Sequence, residues 1–315
     1  MNKKVWIVGS GQMALDYSRV LNSLKIDFQI IGRGKKSAKD FEKKFSKNVI
    51  TGGIKKALNN YEHPKYIIVA VGIKDLYTVT NEILLNSEIF NILIEKPGSL
   101  YKNLLIDLKV KSGSRNLLIA YNRRFYNSTL KLKECLKKEG GITSINFEFT
   151  EWSHKISKLN TDSDIKSNWL LANSTHVIDL AFYLSGLPKK DYWFAIQGGS
   201  LNWHSAGARF QGAGITERKI LFSYKADWTS PGRWGLEINT LQSRYILSPM
   251  EVLKRIPIGK LDYEIVKLEN QIDEEFKPGL YNQCESFFNE DYSQFCSLDD
   301  QIISFDIYKK IGGYK

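Results

Sequence analysis

Lys96 is the first residue whose type and setting could do chemistry. It stands in the tripeptide Glu95-Lys96-Pro97 at the end of an apolar run, where the proline supplies no backbone donor and biases the lysine away from helical angles. The lysine is therefore expected to project into a crevice, where its ammonium could bind an oxygen and stabilise negative charge that develops on it. An isolated E-K-P tripeptide is usually a surface turn, so this chemistry depends on the element that carries it.

His176 is the second such residue, because it lies near the predicted start of a helix. Asn173 or Ser174 can cap that start, and apolar residues follow at helical spacing. The helix dipole there favours the neutral imidazole, which is the form that a general base needs. A histidine that only caps or packs locally is the structural alternative.

The elements that must position these residues begin with a glycine turn. Gly9 permits a tight turn after an apolar run, Gly11 lets the backbone approach a pyrophosphate, and Ala14 lets the next helix pack closely on the strand. Gln12 and Met13 open that helix, whose N–H groups and positive dipole end would face phosphates. The pattern predicts a dinucleotide cradle, although such motifs also occur by chance in turns.

The remainder of the amino-terminal part alternates short apolar runs with segments of helical periodicity, which predicts a doubly wound parallel sheet. The predicted strands are Val5–Gly9, Phe28–Gly32, Val49–Thr51, Tyr66–Val71, Asn91–Ile94 and Asn116–Ala120. Ligands of such sheets bind beyond the carboxyl ends of the strands. Ala70 and Val71 lie at such an end, where their backbone could line the adenosine or the diphosphate; a simple strand-to-helix turn is an equal alternative.

Arg33 follows the second strand, where the dinucleotide pattern expects an acidic residue that accepts hydrogen bonds from the ribose. A guanidinium can form a fork on a 2′-phosphate, which a carboxylate would repel. The sequence therefore favours NADP over NAD. An exposed Arg33 on a chain that binds NAD without an acidic anchor is the alternative.

Composition narrows the class of protein. The chain of 315 residues is 43% hydrophobic and 25% charged, which is typical of globular proteins and argues against disorder. The net charge of +11 is spread over the chain without a nucleic-acid-binding motif, so we expect no nucleic acid partner. Three cysteines without metal-ligand spacing predict no metal site and a reducing compartment. The start of the sequence carries no apolar segment suited to a signal peptide or a membrane span, so we expect a cytoplasmic protein without membrane association.

Four motifs together resemble the GFO/IDH/MocA oxidoreductases, a family that includes glucose–fructose oxidoreductase and inositol dehydrogenases. They are Gly9-Ser-Gly-Gln-Met13, Ala70-Val71, Glu95-Lys96-Pro97 and Tyr121-Asn-Arg-Arg-Phe125. The resemblance implies a Rossmann domain followed by an α/β domain with a large, mainly antiparallel sheet, and NAD(P) at their junction. It also implies a sugar or polyol substrate, a homodimer or homotetramer formed through the second sheet, and a cis peptide bond at Lys96–Pro97.

The same resemblance assigns roles to individual residues. Lys96 matches the catalytic lysine, and His176 lies on the helix that carries the catalytic histidine. Asn122 lies where the chain passes the nicotinamide, and Glu95 is a predicted cofactor contact. Arg123 is a candidate substrate contact, or it bridges the domains. The family usually has an aspartate four residues before the histidine, and this chain has Ala172 there. The histidine and the lysine would then act with water and Asn173, or the reaction differs.

The carboxy-terminal part is predicted to hold the substrate. We place the boundary between a dinucleotide-binding domain, residues 1–122, and a substrate-binding and oligomerisation domain, residues 123–315. β-like segments recur after residue 191 with polar turns between them, which predicts an antiparallel sheet. Arg233 on a turn and Tyr281 at a helix start could reach a substrate phosphate or hydroxyl.

The sequence as a whole predicts an NAD(P)-dependent oxidoreductase that prefers NADP and acts on a sugar, polyol or sugar derivative, which could be phosphorylated or nucleotide-linked. Two alternatives stay open. One is a reductase of a non-sugar carbonyl or a conjugated double bond. The other is a cofactor-binding regulator without turnover, for which Ala172 is the best argument.

Overall fold

The computed structural model describes residues 4–269 and 271–314. Within those ranges the chain forms two β-sheets, one of seven strands and one of eight. None of the helices in the described ranges is both long and apolar enough to cross a bilayer.

The amino-terminal elements alternate strictly between strand and helix. They are β1 (Val5–Val8), α1 (Gln12–Ser23), β2 (Phe28–Gly32), α2 (Lys35–Phe45), β3 (Val49–Thr51), α3 (Gly53–Asn60), β4 (Tyr66–Val69), α4 (Ile73–Asn86), β5 (Asn91–Glu95), α5 (Lys102–Ser112) and β6 (Asn116–Ala120). A 3₁₀ turn at Asn122–Phe125 follows.

The middle of the chain is rich in strands. Its elements are α6 (Asn127–Lys138), β7 (Ser144–Phe149), α7 (Ser153–Ile156), α8 (Ser163–Ser167), a π-helical turn (Leu170–Ser174), α9 (Thr175–Ser185), β8 (Pro188–Gly198), β9 (Arg209–Thr216), β10 (Leu221–Asp227), β11 (Trp234–Asn239), β12 (Ser243–Leu247), β13 (Leu253–Pro257) and β14 (Glu264–Ile265). The final elements are α10 (Gln271–Glu275), α11 (Leu280–Phe288), β15 (Cys296–Ser297) and α12 (Leu298–Gly312).

The first sheet has the doubly wound order β15-β6-β5-β4-β1-β2-β3, and β1 to β6 pair in parallel. Its central strands are apolar on both faces; every residue of β1 and of β4 is buried. Helices cover both faces of a parallel sheet, so such strands form continuous apolar runs. The predicted Rossmann sheet is therefore confirmed.

The second sheet has the order β14-β13-β12-β11-β7-β10-β9-β8, and all its pairs are antiparallel except β7 with β10. Its strands alternate buried residues with partly or fully exposed ones, as in β10 and β11. Helix α9 packs on β7 and β11 on the buried face. The prediction of a second α/β domain with a mainly antiparallel sheet is confirmed.

The described residues fold into two compact units. The first unit comprises residues up to Asn122 together with Ile272–Ile302, and the second comprises Arg123–Gln271 together with the residues from Ile303 onward. The sequence-based division placed everything after residue 122 in one domain, whereas Ile272–Ile302 packs with the first unit. Its β15 pairs with β6, and Phe287 and Phe288 of α11 pack edge-on against Tyr66, with ring centroids 5.6 and 5.3 Å apart.

Candidate active site

Four helices of the first unit begin with a glycine at the N-cap, and all four glycines line one crevice. They are Gly11 of α1, Gly34 of α2, Gly52 of α3 and Gly72 of α4; within the described ranges none of these helices has a side-chain cap. The crevice has a volume of about 610 Å³. First-turn N–H groups without a side-chain cap, together with the helix dipoles, favour anions. The crevice therefore suits a ligand that carries phosphates.

Five of the predicted cofactor-binding residues lie on the wall of this crevice. They are Gly9, Gly11, Arg33, Ala70 and Val71. Gly9 has φ +127°, and a Cβ there would stand 2.2 Å from the carbonyl oxygen of Ala70. At Gly11 a Cβ would meet no described atom within 4 Å, so it would project into open space. The turn thus packs against Ala70, just after β4, at its first glycine and leaves room for a ligand at its second, as a dinucleotide cradle requires.

Arg33 is paired with a carboxylate of the same crevice. Its Nη1 lies 3.1 Å from Oδ1 of Asp75, in the first turn of α4, and the two side chains are 82% and 41% exposed. Lys55 and Glu82 add one charge of each sign to the lining. No acidic residue directly follows β2, but Asp75 of α4 brings a carboxylate to the same crevice.

Lys96 directly follows β5, and its peptide bond to Pro97 is cis, which confirms the geometry that the resemblance implied. The preceding Glu95 accepts a hydrogen bond from the Tyr17 hydroxyl at 2.7 Å. Burial raises the pKa of Glu95, while that hydrogen bond and the ammonium groups of Lys277 and Lys96 oppose the increase. Glu95 is thus tied into the interior of the unit beside the lysine.

Three further predicted cofactor residues lie outside the lining of the crevice. The Gln12 side chain donates to an aspartate one turn along α1. The sulfur of Met13 lies 2.7 Å from the Lys277 ammonium, and Asn122 donates from Nδ2 to the Pro278 carbonyl at 2.9 Å. Lys277 therefore contacts the start of α1, and Pro278 contacts Asn122 at the end of the first unit's main segment.

Three predicted residues of the second unit meet at one tryptophan, Trp234. The His176 ring is 6.1 Å from the Trp234 ring, and the guanidinium carbons of Arg123 and Arg233 lie 4.6 and 4.4 Å from its centroid. Burial lowers the pKa of Arg123. A ring face attracts cations through its quadrupole, so Trp234 holds both guanidinium groups near the imidazole.

Glu151, two residues after β7, connects this cluster to the fourth predicted residue, Asn173. Its Oε1 accepts hydrogen bonds from Asn173 Nδ2 at 2.9 Å and from Ser174 Oγ at 2.8 Å. Its Oε2 lies 3.6 Å from Arg233 Nη1. The carboxylate is buried, and the arginine is half exposed. The structure thus brings Arg123, Asn173, His176 and Arg233 together.

The prediction that Asn173 or Ser174 caps the helix before His176 is wrong. Both side chains bind Glu151, and Ser174 itself has helical angles, because the π-helical turn Leu170–Ser174 runs directly into α9. His176 is therefore not in the first turn of an isolated helix, and the dipole argument for its neutral form loses its basis. Single π turns inside helices are frequent at functional sites.

Arg124, the neighbour of Arg123, and Ala172 are both buried in the second unit. Arg124 forms a bidentate pair with Asp179, at 2.8 and 2.6 Å, and both side chains are buried. Ala172, at the position where the resembled family has an aspartate, is buried. Tyr281 lies on α11 in the first unit, with its ring 5.5 Å from that of Phe276.

Sequence reasoning missed Asp75, Glu151, Trp234 and Lys277. Asp75 comes three residues after the glycine that ends the Ala70-Val71-Gly72 turn, and Glu151 follows the end of a strand, so inspection of strand ends could have singled them out. Trp234 pairs with Phe149 across β11 and β7, a register that no local pattern shows. In the described ranges, no group of His, Cys, Asp and Glu side chains is arranged to hold a metal ion.

No family model matches the chain, and no curated protein sequence matches it. Solved structures do match. An oxidoreductase from Agrobacterium radiobacter in complex with NAD+, L-tartaric acid and magnesium is 11% identical, with a TM-score of 0.79 over 98% of this chain and 95% of that one. A levoglucosan dehydrogenase in complex with NADH and L-sorbose is 15% identical, with a TM-score of 0.79 over 100% and 96%. A UDP-N-acetylglucosamine 3-dehydrogenase from Acidithiobacillus ferrooxidans is 12% identical, with a TM-score of 0.75 over 100% and 98%. At these identities the likeness is one of fold: the chain has the two-domain fold of these oxidoreductases.

Proposed function

We propose that the protein is an NAD(P)-dependent oxidoreductase that transfers a hydride between nicotinamide and a sugar, polyol or sugar derivative. The observation that carries the proposal is the crevice at which four glycine-capped helices begin. The glycine turn leaves space for a pyrophosphate at Gly11, so the residues present fit a dinucleotide. The fold shared with sugar dehydrogenases supports the substrate class.

NADP is the proposed preference, with NAD also accepted. Arg33 lines the crevice just after β2, and a guanidinium can form a fork on a 2′-phosphate. Titration of NADPH and NADH into the wild type and Arg33→Ala, followed by calorimetry, tests this role. We expect the variant to lose affinity for NADPH selectively. Equal NADPH affinity in the two proteins would remove the arginine from the 2′-phosphate site.

Lys96 and His176 are the proposed catalytic residues. In the oxidising direction the substrate hydroxyl proton passes to the His176 imidazole, the carbon–hydrogen bond breaks with its electron pair leaving as hydride, and a C=O bond forms. A bound nicotinamide supplies the hydride acceptor at C4. The Lys96 ammonium binds the reacting oxygen and stabilises its alkoxide character. In the reducing direction the same proton returns from His176.

Arg233 is the proposed substrate contact of the second unit, because its half-exposed guanidinium lies against Trp234, the same ring that His176 contacts. It can donate to a hydroxyl or pair with a phosphate. Arg123, Asn173 and Tyr281 stay predictions as substrate contacts. Arg123 and Asn173 already have partners in the Trp234 and Glu151 contacts.

A panel of free, phosphorylated and nucleotide-linked sugars, screened by the absorbance of reduced nicotinamide, tests the reaction. For a substrate found in this way, His176→Ala and Lys96→Ala should each lower kcat by about 10²- to 10⁴-fold while dinucleotide affinity changes little. If both act on one oxygen, the double variant should lose little more than the worse single variant. Unchanged turnover in His176→Ala would contradict its role as base.

The regulator alternative is favoured by one observation, the alanine at position 172. A regulator would bind a dinucleotide without turning over any compound of the panel, and Lys96→Ala would leave its function intact. Dinucleotide binding measured beside the substrate panel separates the two functions.

A homodimer or homotetramer formed through the outer face of the second sheet is also proposed. Tyr192, Phe194 and Ile196 of β8 and Leu221 of β10 form an exposed apolar group on that face. Light scattering should show an oligomer that dissociates in Phe194→Glu but not in Leu261→Glu, whose exposed side chain lies in the loop between β13 and β14. A monomeric wild type would contradict this interface.

The cysteines suit a reducing compartment, and we propose a cytoplasmic location. Cys135, Cys284 and Cys296 all lie in the described ranges and form no disulfide there. Burial raises the pKa of the Cys284 thiol, which keeps it protonated. Fractionation of cells that express a tagged protein tests the location.

A further inference from the structure

The sequence singled out Arg33 as the charged residue of this crevice, but acidic side chains line the crevice beside it. Arg33 and Lys55 carry positive charge, and Asp75 and Glu82 carry negative charge. Of these carboxylates, Asp75 is the one that the structure pairs with Arg33, at 3.1 Å. The residue best suited to a 2′-phosphate therefore already has an anionic partner.

Asp75, the partner of Arg33, belongs to a regular helix. Asp75 lies in the first turn of α4, whose N-cap is Gly72, and its backbone N–H donates to the Gly72 carbonyl at 2.8 Å. Asp and Glu are favoured in the first turn of a helix by the dipole. Arg33, by contrast, lies in the short connection between β2 and α2, and its side chain is largely exposed. The aspartate thus fixes the position of the arginine more than the reverse.

NAD and NADP differ only in the 2′-phosphate, so the groups around that phosphate set the ratio of the two affinities. A phosphate monoester carries between one and two negative charges at neutral pH. To bind at Arg33 it must displace the Asp75 carboxylate from the guanidinium or share it, and in either case two anions approach each other. NAD has no such group and does not disturb the pair.

We propose that Asp75 is a specificity-determining residue that sets the NADP to NAD affinity ratio by competing with the 2′-phosphate for Arg33. The inference rests on the proposed function, because it requires a dinucleotide in this crevice. It places part of the cofactor choice on α4, 42 residues away from the arginine along the chain. The expected consequence is a protein that uses NADP with only a modest preference and accepts NAD.

Asp75→Asn tests the competition, since it keeps the shape of the side chain and removes its charge. Because exposed ion pairs are weak, we expect NADPH affinity to rise by about three- to fivefold and NADH affinity to change by less than about twofold. Calorimetric titration of the purified full chain at two ionic strengths measures both. The gain should shrink at the higher ionic strength, because both side chains are accessible to salt.

Two further variants identify the mechanism. In an Arg33→Ala background, Asp75→Asn should raise NADPH affinity by less than about twofold, because the guanidinium for which Asp75 and the 2′-phosphate compete is then absent. Glu82→Gln removes the other carboxylate of the crevice and should leave the ratio near that of the wild type. A ratio that is unchanged by Asp75→Asn, or changed as much by Glu82→Gln, or changed equally without Arg33, overturns the inference.

The same titrations separate this inference from the proposed function. A wild type that binds neither NADPH nor NADH would overturn both. A wild type that binds a dinucleotide, combined with an unaltered ratio in Asp75→Asn, would overturn the role of Asp75 alone. Thermal unfolding of Asp75→Asn followed by circular dichroism checks that the variant keeps the fold of the wild type.

Discussion

The candidate sites of the two units differ in the groups that form them: backbone in the first unit and side chains in the second. The crevice of the first unit is formed largely by backbone. Glycines begin the four helices that line it, and the glycine turn at Gly9 packs on Ala70, just after β4. The Trp234 cluster of the second unit is held by side-chain contacts, with the buried carboxylate of Glu151 as its central acceptor. A backbone site fails when a side chain is added, whereas a side-chain site fails when a charge is removed. The two units should therefore respond to opposite kinds of substitution.

The largest effect is expected where a buried charge of the second unit loses its partner. Arg124→Met removes the bidentate pair with Asp179 and should lower the free energy of unfolding by about 3–5 kcal/mol. Urea unfolding monitored by tryptophan fluorescence measures the loss. The double variant Arg124→Met, Asp179→Leu is the control, and it should recover most of the stability. A loss below about 1 kcal/mol in the single variant would show that this pair does not stabilise the unit.

A matched pair of glycine substitutions tests the backbone site. Gly9→Ala places a Cβ against the Ala70 carbonyl at a positive φ, and should cost about 3 kcal/mol and abolish NADPH binding. Gly11→Ala places its Cβ in open space, so it should keep stability and lose only NADPH affinity. Thermal unfolding and calorimetric titration of both variants measure the two quantities. Equal stability loss in the two would contradict the difference between the glycines.

Glu139 offers a pH test of the side-chain networks in the second unit. Burial alone would raise the pKa of this carboxyl, but hydrogen bonds from Thr240, Tyr245 and Ser243, together with Arg255, lower it below its usual value of 4.5. A lowered folded-state pKa contributes stability that is fully present above pH 4.5 and is lost as the pH falls through the folded-state value. Glu139→Gln should therefore cost about 1–2 kcal/mol at neutral pH. The difference from the wild type should narrow in urea titrations at acid pH, and a constant difference would contradict the assignment.

The smallest effect is expected at the edge of the first site. Lys277→Ala removes an exposed ammonium beside Met13 and should leave the unfolding temperature unchanged, while NADPH affinity falls by about two- to threefold. Lys65→Ala, which removes another exposed lysine of the same unit, is the control. Equal affinities in the two variants would place Lys277 outside the cofactor's reach.

The sequence predicted more of the fold than of the sites, for a physical reason. Apolar runs such as Tyr66–Val69 indicate burial on both faces of a sheet, and the six parallel strands β1 to β6 begin at the predicted residues. The pairing of β15 with β6 joins residues far apart in the chain, and no local pattern records it. The same limit explains Asp75, whose importance depends on a partner in another part of the chain.

The Trp234 cluster shows this limit most clearly. His176 and Arg233 were singled out by type and setting, but the residue that gathers them was not, because a tryptophan at a strand start is usually core. The helix that carries His176 was predicted to begin at a side-chain cap, but a π-helical turn precedes it and runs directly into it. The assigned roles of the site residues stay predictions for the experiments above.

The path of the chain has a consequence for how the protein is made. The polypeptide leaves the first unit after Asn122, returns to it at Ile272 and leaves again after Ile302. During synthesis α11 and β15 are among the last elements to leave the ribosome. Tyr66 can therefore contact Phe287 and Phe288 only after most of the chain has been made. A nascent chain stalled before residue 272 would hold all six parallel strands but leave the apolar surface around Tyr66 exposed, and exposed apolar surface makes partly folded chains prone to aggregate.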